Sequence, residues 1–302
     1  CVFDVKPDAE GGCWFDFMAD CGDGFNSSYQ VARVLADPDL EVVTGNRSSR
    51  LSLPRGDILV IGGDLAYPDP SPDTFERRFF RTFEDALPPP KSFRKEAISV
   101  SKPALPVRGW RGCFSGAGPS AAAGPDDLLD RYMGPRAFVL PGNHDWFDGL
   151  ATYARLVLSR DWLGGWLMPQ ERSYFAISLP QGWWIFGCDL ALSEDIDLEQ
   201  FRFFADVAKK RVGPDDAVVV CVHEPYWVLD AAERRKDDEC AEPNLRELME
   251  THLPGKVRLR VAGDLHHYTR HTPVRAKERG EDRPDPTPRQ DARSSKTYTA
   301  GV

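Results

Sequence analysis

Five short apolar runs in this 302-residue chain each end on residues that can bind a metal. Phe15 to Ala19 leads into Asp20, and Ile58 to Gly63 into Asp64 with Tyr67 close behind. Ala137 to Gly142 leads into Asn143, His144 and Asp145, Ala217 to Val222 into His223, and Val257 to Gly263 into Asp264 and His266. Asp20, Asp64, Tyr67, Asn143, His223, Asp264 and His266 form a set of hard oxygen donors with a few imidazoles. Such a set suits Fe, Mn or Zn better than thiolate-seeking metals. Seven donors are too many for one catalytic ion and match two ions that share a bridging carboxylate. Two such ions about 3.5–4 Å apart can bind phosphate oxygens, lower the pKa of a water towards about 7, and hold nucleophile and leaving group in line. Any one of these residues alone reads equally well as a cap or a satisfied buried polar group. All seven in this order do not, because unpaired buried carboxylates are costly unless positive charge lies between them.

The elements that must position them follow from the pattern. Runs of this length, rich in Val and Ile, read as buried strands, and the carboxyl edge of such strands is where α/β sheets assemble sites. Ser71-Pro72 predicts a helix N-cap with Pro in the first turn, followed by Phe75, Phe79, Phe83 and Leu87 at four-residue spacing. Asp197 and Gln200 predict a capping-box-like start, with Leu198, Phe201, Phe204 and Ala208 as one apolar face. Leu245, Leu248 and Met249 mark a shorter helix. Ser173 to Leu179 and Trp183 to Cys188 flank Pro180-Gln181-Gly182 as a β-hairpin. Strands alternating with helices, plus a hairpin, predict a mixed α/β fold.

Composition narrows the function. Lys and Arg total 38 against 47 Asp and Glu, a net charge of −9, which is a poor match to nucleic acid. No apolar run approaches the roughly 18 residues of a membrane span. The seven cysteines show no CxxC pair and no zinc-finger spacing, and read as buried free thiols. The chain opens on Cys1 without a signal-type segment and reads as an excised fragment of a single domain, residues 1–302. Within it, about 88–126 reads as a loop-rich insertion and about 272–295 as a mobile charged segment. Lys296 to Val302 resumes strand composition, leaving the sheet open to a final strand beyond this stretch.

Read together, Asp20-Cys21-Gly22, Gly63-Asp64-Leu65-Ala66-Tyr67, Gly142-Asn143-His144-Asp145, Val220-Cys221-Val222-His223 and Gly263-Asp264-Leu265-His266-His267-Tyr268-Thr269-Arg270 resemble the calcineurin-like metallophosphoesterases. They come nearest to the purple-acid-phosphatase order GDxG, GDxxY, GNH(D/E), VxxH, GHxH. The resemblance spans Asp20 to Arg270. It implies a two-sheet β-sandwich flanked by helices, of four-layer αββα form, and hydrolysis of phosphate esters, monoesters favoured, with metal-bound hydroxide as nucleophile. It also implies that Asp20, Tyr67 and His266 hold one metal, that Asp64 bridges, and that Asn143, His223 and Asp264 hold the second. His144 would assist the leaving group and Asp145 would orient His144. His267 and Arg270 fall on the substrate side, although for His267 a solvated role reads equally well.

The sequence departs from the pattern at Ala19, where the first motif has Gly, and at Asp264, where the family has His. A carboxylate at 264 still ligates, but its charge weakens the Lewis acidity of the second ion and favours Mn or Mg. Tyr67 binds most readily as phenolate to a highly charged ion, favouring Fe(III). The implied pair is therefore Fe(III) with Mn, Zn or Fe(II), with Mn/Mn or Mg as alternatives. Two further functions fit the same motifs: a phosphodiesterase acting on a nucleotide or lipid head group, and a non-catalytic binding module, which only Asp264 supports. Asp23 and Asn26 are expected in a turn or N-cap, His252 in a structural role, Arg47 to Arg50 in a solvated loop, and Trp162, Trp166, Trp183 and Trp184 in the core.

Overall fold

The computed structural model describes residues 1–43, 50–89, 132, 134–190, 192, 194–233, 241–266, 268–271 and 296–299. Most of the expected insertion, the charged segment 272–295, Arg47 to Ser49 and His267 lie outside the described residues.

The five apolar runs are strands, and each stops just short of its polar residues. They are β2 (Phe15–Met18), β5 (Ile58–Gly62), β6 (Arg136–Leu140), β11 (Ala217–Cys221) and β12 (Val257–Ala262). A five-stranded sheet runs β2-β5-β6-β8-β7, with β7 (Trp162–Leu163) and β8 (Trp166–Leu167) closing one side. β2, β5, β6 and β8 are parallel, so their carboxyl ends share one edge.

The seven-stranded sheet runs β1-β9-β10-β11-β12-β14-β13. β1 (Val2–Asp4), β9 (Phe175–Leu179), β10 (Trp183–Gly187), β13 (Thr269–His271) and β14 (Lys296–Thr299) complete it. β9 and β10 form the expected antiparallel hairpin; β10, β11, β12 and β14 are parallel. Between β2 and β5 sits a separate antiparallel hairpin of β3 (Asp39–Val43) and β4 (Arg50–Pro54), which the sequence pattern did not reveal. Arg50 accordingly stands on a strand, paired with Glu41, rather than in a loop.

Alternation along the strands produces three apolar layers. Ile58, Val60, Phe138 and Leu140 meet Phe175, Ile177, Ile185, Val219 and Val261 between the two sheets. The opposite faces of β5 and β6 (Leu59, Ile61, Ala137, Val139) pack under helices, as do Trp184, Phe186, Val218 and Val220 of the other sheet. The result is two sheets face to face with helices outside each. Ile58 to Ile61 are fully buried, which is how a parallel strand covered on both faces should read. Each such side chain contributes about 1.5–3 kcal/mol on burial.

The helices follow the sequence with instructive exceptions. α1 (Phe25–Ala36) is capped at Gly24 without a side-chain bond, so neither Asp23 nor Asn26 serves as its cap. Ser71 caps α2 (Pro72–Thr74) by accepting from the Thr74 N–H. The helix then widens to a π-helical stretch, Phe75–Phe80, before α3 (Arg81–Ala86). The wider turn brings Phe80 inward beside Phe75, Phe79 and Phe83, all four fully buried. α4 (Ala151–Leu156) covers the same sheet.

α5 (Leu198–Lys210) is capped by Asp197, which accepts from Gln200 N–H. The reciprocal half of the capping box is missing, because the Gln200 amide bonds the backbone of Asp189 instead. Leu198 is 62% exposed and drops out of the expected face. α6 (Tyr226–Glu233) follows β11, and α7 (Pro243–Glu247) buries Leu245. His252 packs edge-on against Phe201, the structural role expected of it. Trp166 and Trp184 are core, whereas Trp183 is 40% exposed. Cys21, Cys188 and Cys221 are buried free thiols. No helix among the described residues is long and apolar enough to cross a membrane.

Candidate metal centre

The turns that leave β2, β5, β6, β11 and β12 converge where the carboxyl edges of the two sheets meet. Asp20, Asp64, Asp264 and His266 all adopt left-handed backbone, with φ of 56°, 53°, 67° and 52°. Four such non-glycine residues in one place are a cost that functional sites tolerate. Gly63, at φ 104°, lets the chain turn at once into Asp64. A Cβ there would lie 2.5 Å from His223 Nδ1. A Cβ on Gly142 would lie 2.7 Å from His223 Nε2 and also strike Asp64 Oδ1. Both glycines thus keep side-chain volume out of the space the donors face.

Asp20, Asp64 and His266 offer ligand atoms that all lie within 4.8 Å of one another. His266 Nε2 is 3.8 Å from Asp20 Oδ1. On the other side of Asp64, its Oδ1 is 3.3 Å from His223 Nε2, and Asp264 Oδ1 is 4.0 Å from that same nitrogen. The Asp264 N–H donates to both Asp20 oxygens, at 3.0 and 3.1 Å, tying one sheet to the other. The His144 N–H is shared between Asp64 Oδ1 at 3.2 Å and Asn143 Oδ1 at 2.9 Å, which brings the Asn143 amide oxygen into the group. The Tyr67 ring lies 3.9 Å from His144 and 6.4 Å from His266, centroid to centroid. Arg78 donates to the carbonyls of Tyr67 and Asp23 and so holds the β5 turn to the β2 turn. Asp20, Asp64 and His266 form one close group, His223, Asp264 and Asn143 adjoin it through Asp64, Asp20 and the His144 N–H, and the Tyr67 ring borders it beside His144.

The residues suit a cation. His223 Nδ1 lies 2.7 Å from the Gly62 carbonyl and must donate to it. That leaves Nε2, on a side chain 1% exposed, facing Asp64 Oδ1 at 3.3 Å without good hydrogen-bond geometry. Such a nitrogen is costly unless something binds it, and the backbone bond on the other ring atom fixes it as the ligating one. Burial opposes charge on His223, but its contact with Asp64 and the nearby charges of Glu224 and Asp20 raise its pKa to about 10. Burial likewise raises Asp64, yet the His223 contact outweighs it and leaves Asp64 below the ordinary carboxylate range. Burial raises Asp20 to about 6 against the opposing pull of His223 and the Asp264 N–H. Without metal, the proton on His223 thus stands in for missing positive charge. A divalent cation added to the chelated protein at pH 7 is expected to release about one proton from that ring. Calorimetry in buffers of different ionisation enthalpy measures this directly.

One expected role changes. Asp145 is fully buried, but its carboxylate accepts from the N–H groups of Leu65, Ala66 and Gly142 rather than orienting His144. The His144 ring is instead set by its Nδ1, 2.8 Å from the Pro68 carbonyl. Asp145 therefore locks the β5 and β6 turns together, and burial raises its pKa to about 7. Asp145→Ala is expected to cost about 3 kcal/mol in urea unfolding of the metal-free protein, because it strands several buried N–H donors. Arg270 lies exposed on β13, four residues after His266.

Sequence reading missed Glu224, 5% exposed directly after His223, which burial raises to about 7. Its signal was a carboxylate immediately following a ligand at the end of an apolar strand. It also missed Phe147, whose ring lies 4.6 Å from His144.

No family model matches this chain. No curated protein matches it. Among solved structures it is similar to a phosphopantetheinyl hydrolase from Mycobacterium tuberculosis, at 12% identity and a TM-score of 0.41, over 96% of this chain and 90% of that one. At such distance the chemistry has to be argued from the side chains.

Proposed function

We propose that the chain is a metal-dependent phosphoesterase of the calcineurin-like kind, built around two ions and favouring monoesters. One observation carries the reading: the buried His223 Nε2 faces Asp64 Oδ1 at 3.3 Å without good hydrogen-bond geometry, beside the Asp20–Asp64–His266 group. Asp20, Tyr67 and His266 would hold one ion, Asn143, His223 and Asp264 the other, with Asp64 shared. The pair is Fe(III) with Mn, Zn or Fe(II), or Mn/Mn or Mg where the added charge of Asp264 dominates. Cations so held supply positive charge to the phosphate oxygens and bring a water's pKa towards about 7. An acidic chain could not draw that charge from its own surface.

The protein's own part is positional. His144, with Nδ1 committed to Pro68, keeps Nε2 for the proton that the departing alcohol oxygen needs. Tyr67 lies against that imidazole. Asp145 clamps the turns that carry Asp64 and His144.

The test is elemental analysis after chelation and reloading with Mn or Fe, beside hydrolysis of a nitrophenyl monoester and its bis-ester. About two metals per chain and faster monoester cleavage support the proposal. A strong bis-ester preference would make the chain a diesterase, and fewer than about one metal per chain would make it a binding module.

A further inference from the structure

The described surface exposes four large apolar side chains on the segments that leave the carboxyl ends of β2, β6, β10 and β12. They are Phe25 at 37%, Phe147 at 56%, Leu192 at 56% and Tyr268 at 66% exposure. An exposed apolar side chain beside a polar site is a natural point of contact with a ligand. Phe147 is the one tied to the chemistry by geometry. Its ring centroid is 4.6 Å from that of His144, inclined at 53°, with Tyr67 at 3.9 Å from the same imidazole. Among the described residues it belongs to none of the three apolar layers, and its ring packs against His144. Folding therefore leaves Phe147 more than half exposed, beside the imidazole proposed to protonate the departing oxygen.

Resting on the phosphoesterase reading, we infer that Phe147 determines specificity by stacking on the leaving group. The substrates are then phosphate esters whose alcohol portion carries a planar aromatic ring, rather than phosphates of small polyols. A phosphate held at the donors and an oxygen within reach of His144 put the next atoms of the ester beside Phe147. An offset or edge-on aromatic contact is the favourable one there.

The experiment compares phenylphosphonate with methylphosphonate, neither of which is hydrolysed, by calorimetric titration of the Mn-loaded chain. The wild type is expected to bind phenylphosphonate about 10-fold more tightly, as one good aromatic contact allows. Phe147→Ala should reduce that preference to about 2-fold and leave the methylphosphonate Kd unchanged, and Phe147→Tyr should retain it. Trp183→Ala, 40% exposed at the opposite end of its strand, should leave the ratio as it was. Equal binding of the two phosphonates by the wild type overturns the inference alone, as does equal weakening of both by Phe147→Ala, which would make the ring a structural prop. Failure of the loaded wild type to bind either phosphonate overturns the phosphoesterase reading and this inference with it.

Discussion

Asp64→Asn is expected to leave fewer than one tightly held metal per chain and to lower phosphate-ester turnover by more than about 10³-fold. The carboxylate sits between the Asp20–His266 pair and His223, 3.3 Å from the Nε2 nitrogen of the latter. An amide keeps the shape and can still accept from the His144 N–H, now made at 3.2 Å, so the fold has little reason to change. What goes is the negative charge that two neighbouring cations would share. Metal content by elemental analysis and initial rates on a nitrophenyl ester decide it. A variant that kept two metals and its activity would remove Asp64 from the shared position and, with it, the division of donors into two sets.

His144→Ala should separate chemistry from metal binding. Its ring contacts are the Pro68 carbonyl, Tyr67 and Phe147, and only its backbone N–H touches a donor carboxylate. Metal content should hold while kcat falls by about 10²–10⁴, the usual worth of a positioned general acid. The loss should depend on the ester. An alkyl phosphate needs a proton on its departing oxygen and should show the full effect, whereas a nitrophenyl phosphate leaves readily as an anion and should show much less. Equal losses on both would mean that the imidazole holds the phosphate rather than delivering a proton.

The donors could be read from sequence because each is a local feature, an apolar strand that stops at a turn, and parallel strands carry their turns to one edge whatever lies between them. Partners across that edge are set by how the two sheets face one another, which no stretch of sequence encodes. Asp145 shows the difference: the motif resemblance implied that it orients His144, yet its oxygens reach back to the Leu65, Ala66 and Gly142 N–H groups. Phe80 became core because the helix widens at Phe75–Phe80, which a strict helical period cannot anticipate. Leu198 stayed outside: it is the first residue of its helix and 62% exposed, while Phe204 and Ala208 further along are buried. The β3–β4 hairpin is legible only weakly, because β3 alternates between exposed and half-buried residues while β4 is mostly exposed.

The bond from the Asp264 N–H to the Asp20 carboxylate joins the two halves of the sandwich at their rim, and every ligand pairing proposed here crosses or borders the same seam. Asp20, Asp64 and Asn143 hang from one half, and His223, Asp264 and His266 from the other. Loading the site would therefore add a rivet to layers joined by apolar contact and by such rim bonds as His223 to Gly62 and Trp146 to Asp189, and stripping it would release the rim before the interior. In such a molecule, catalytic competence and resistance to opening rise and fall together, because the same few atoms supply both.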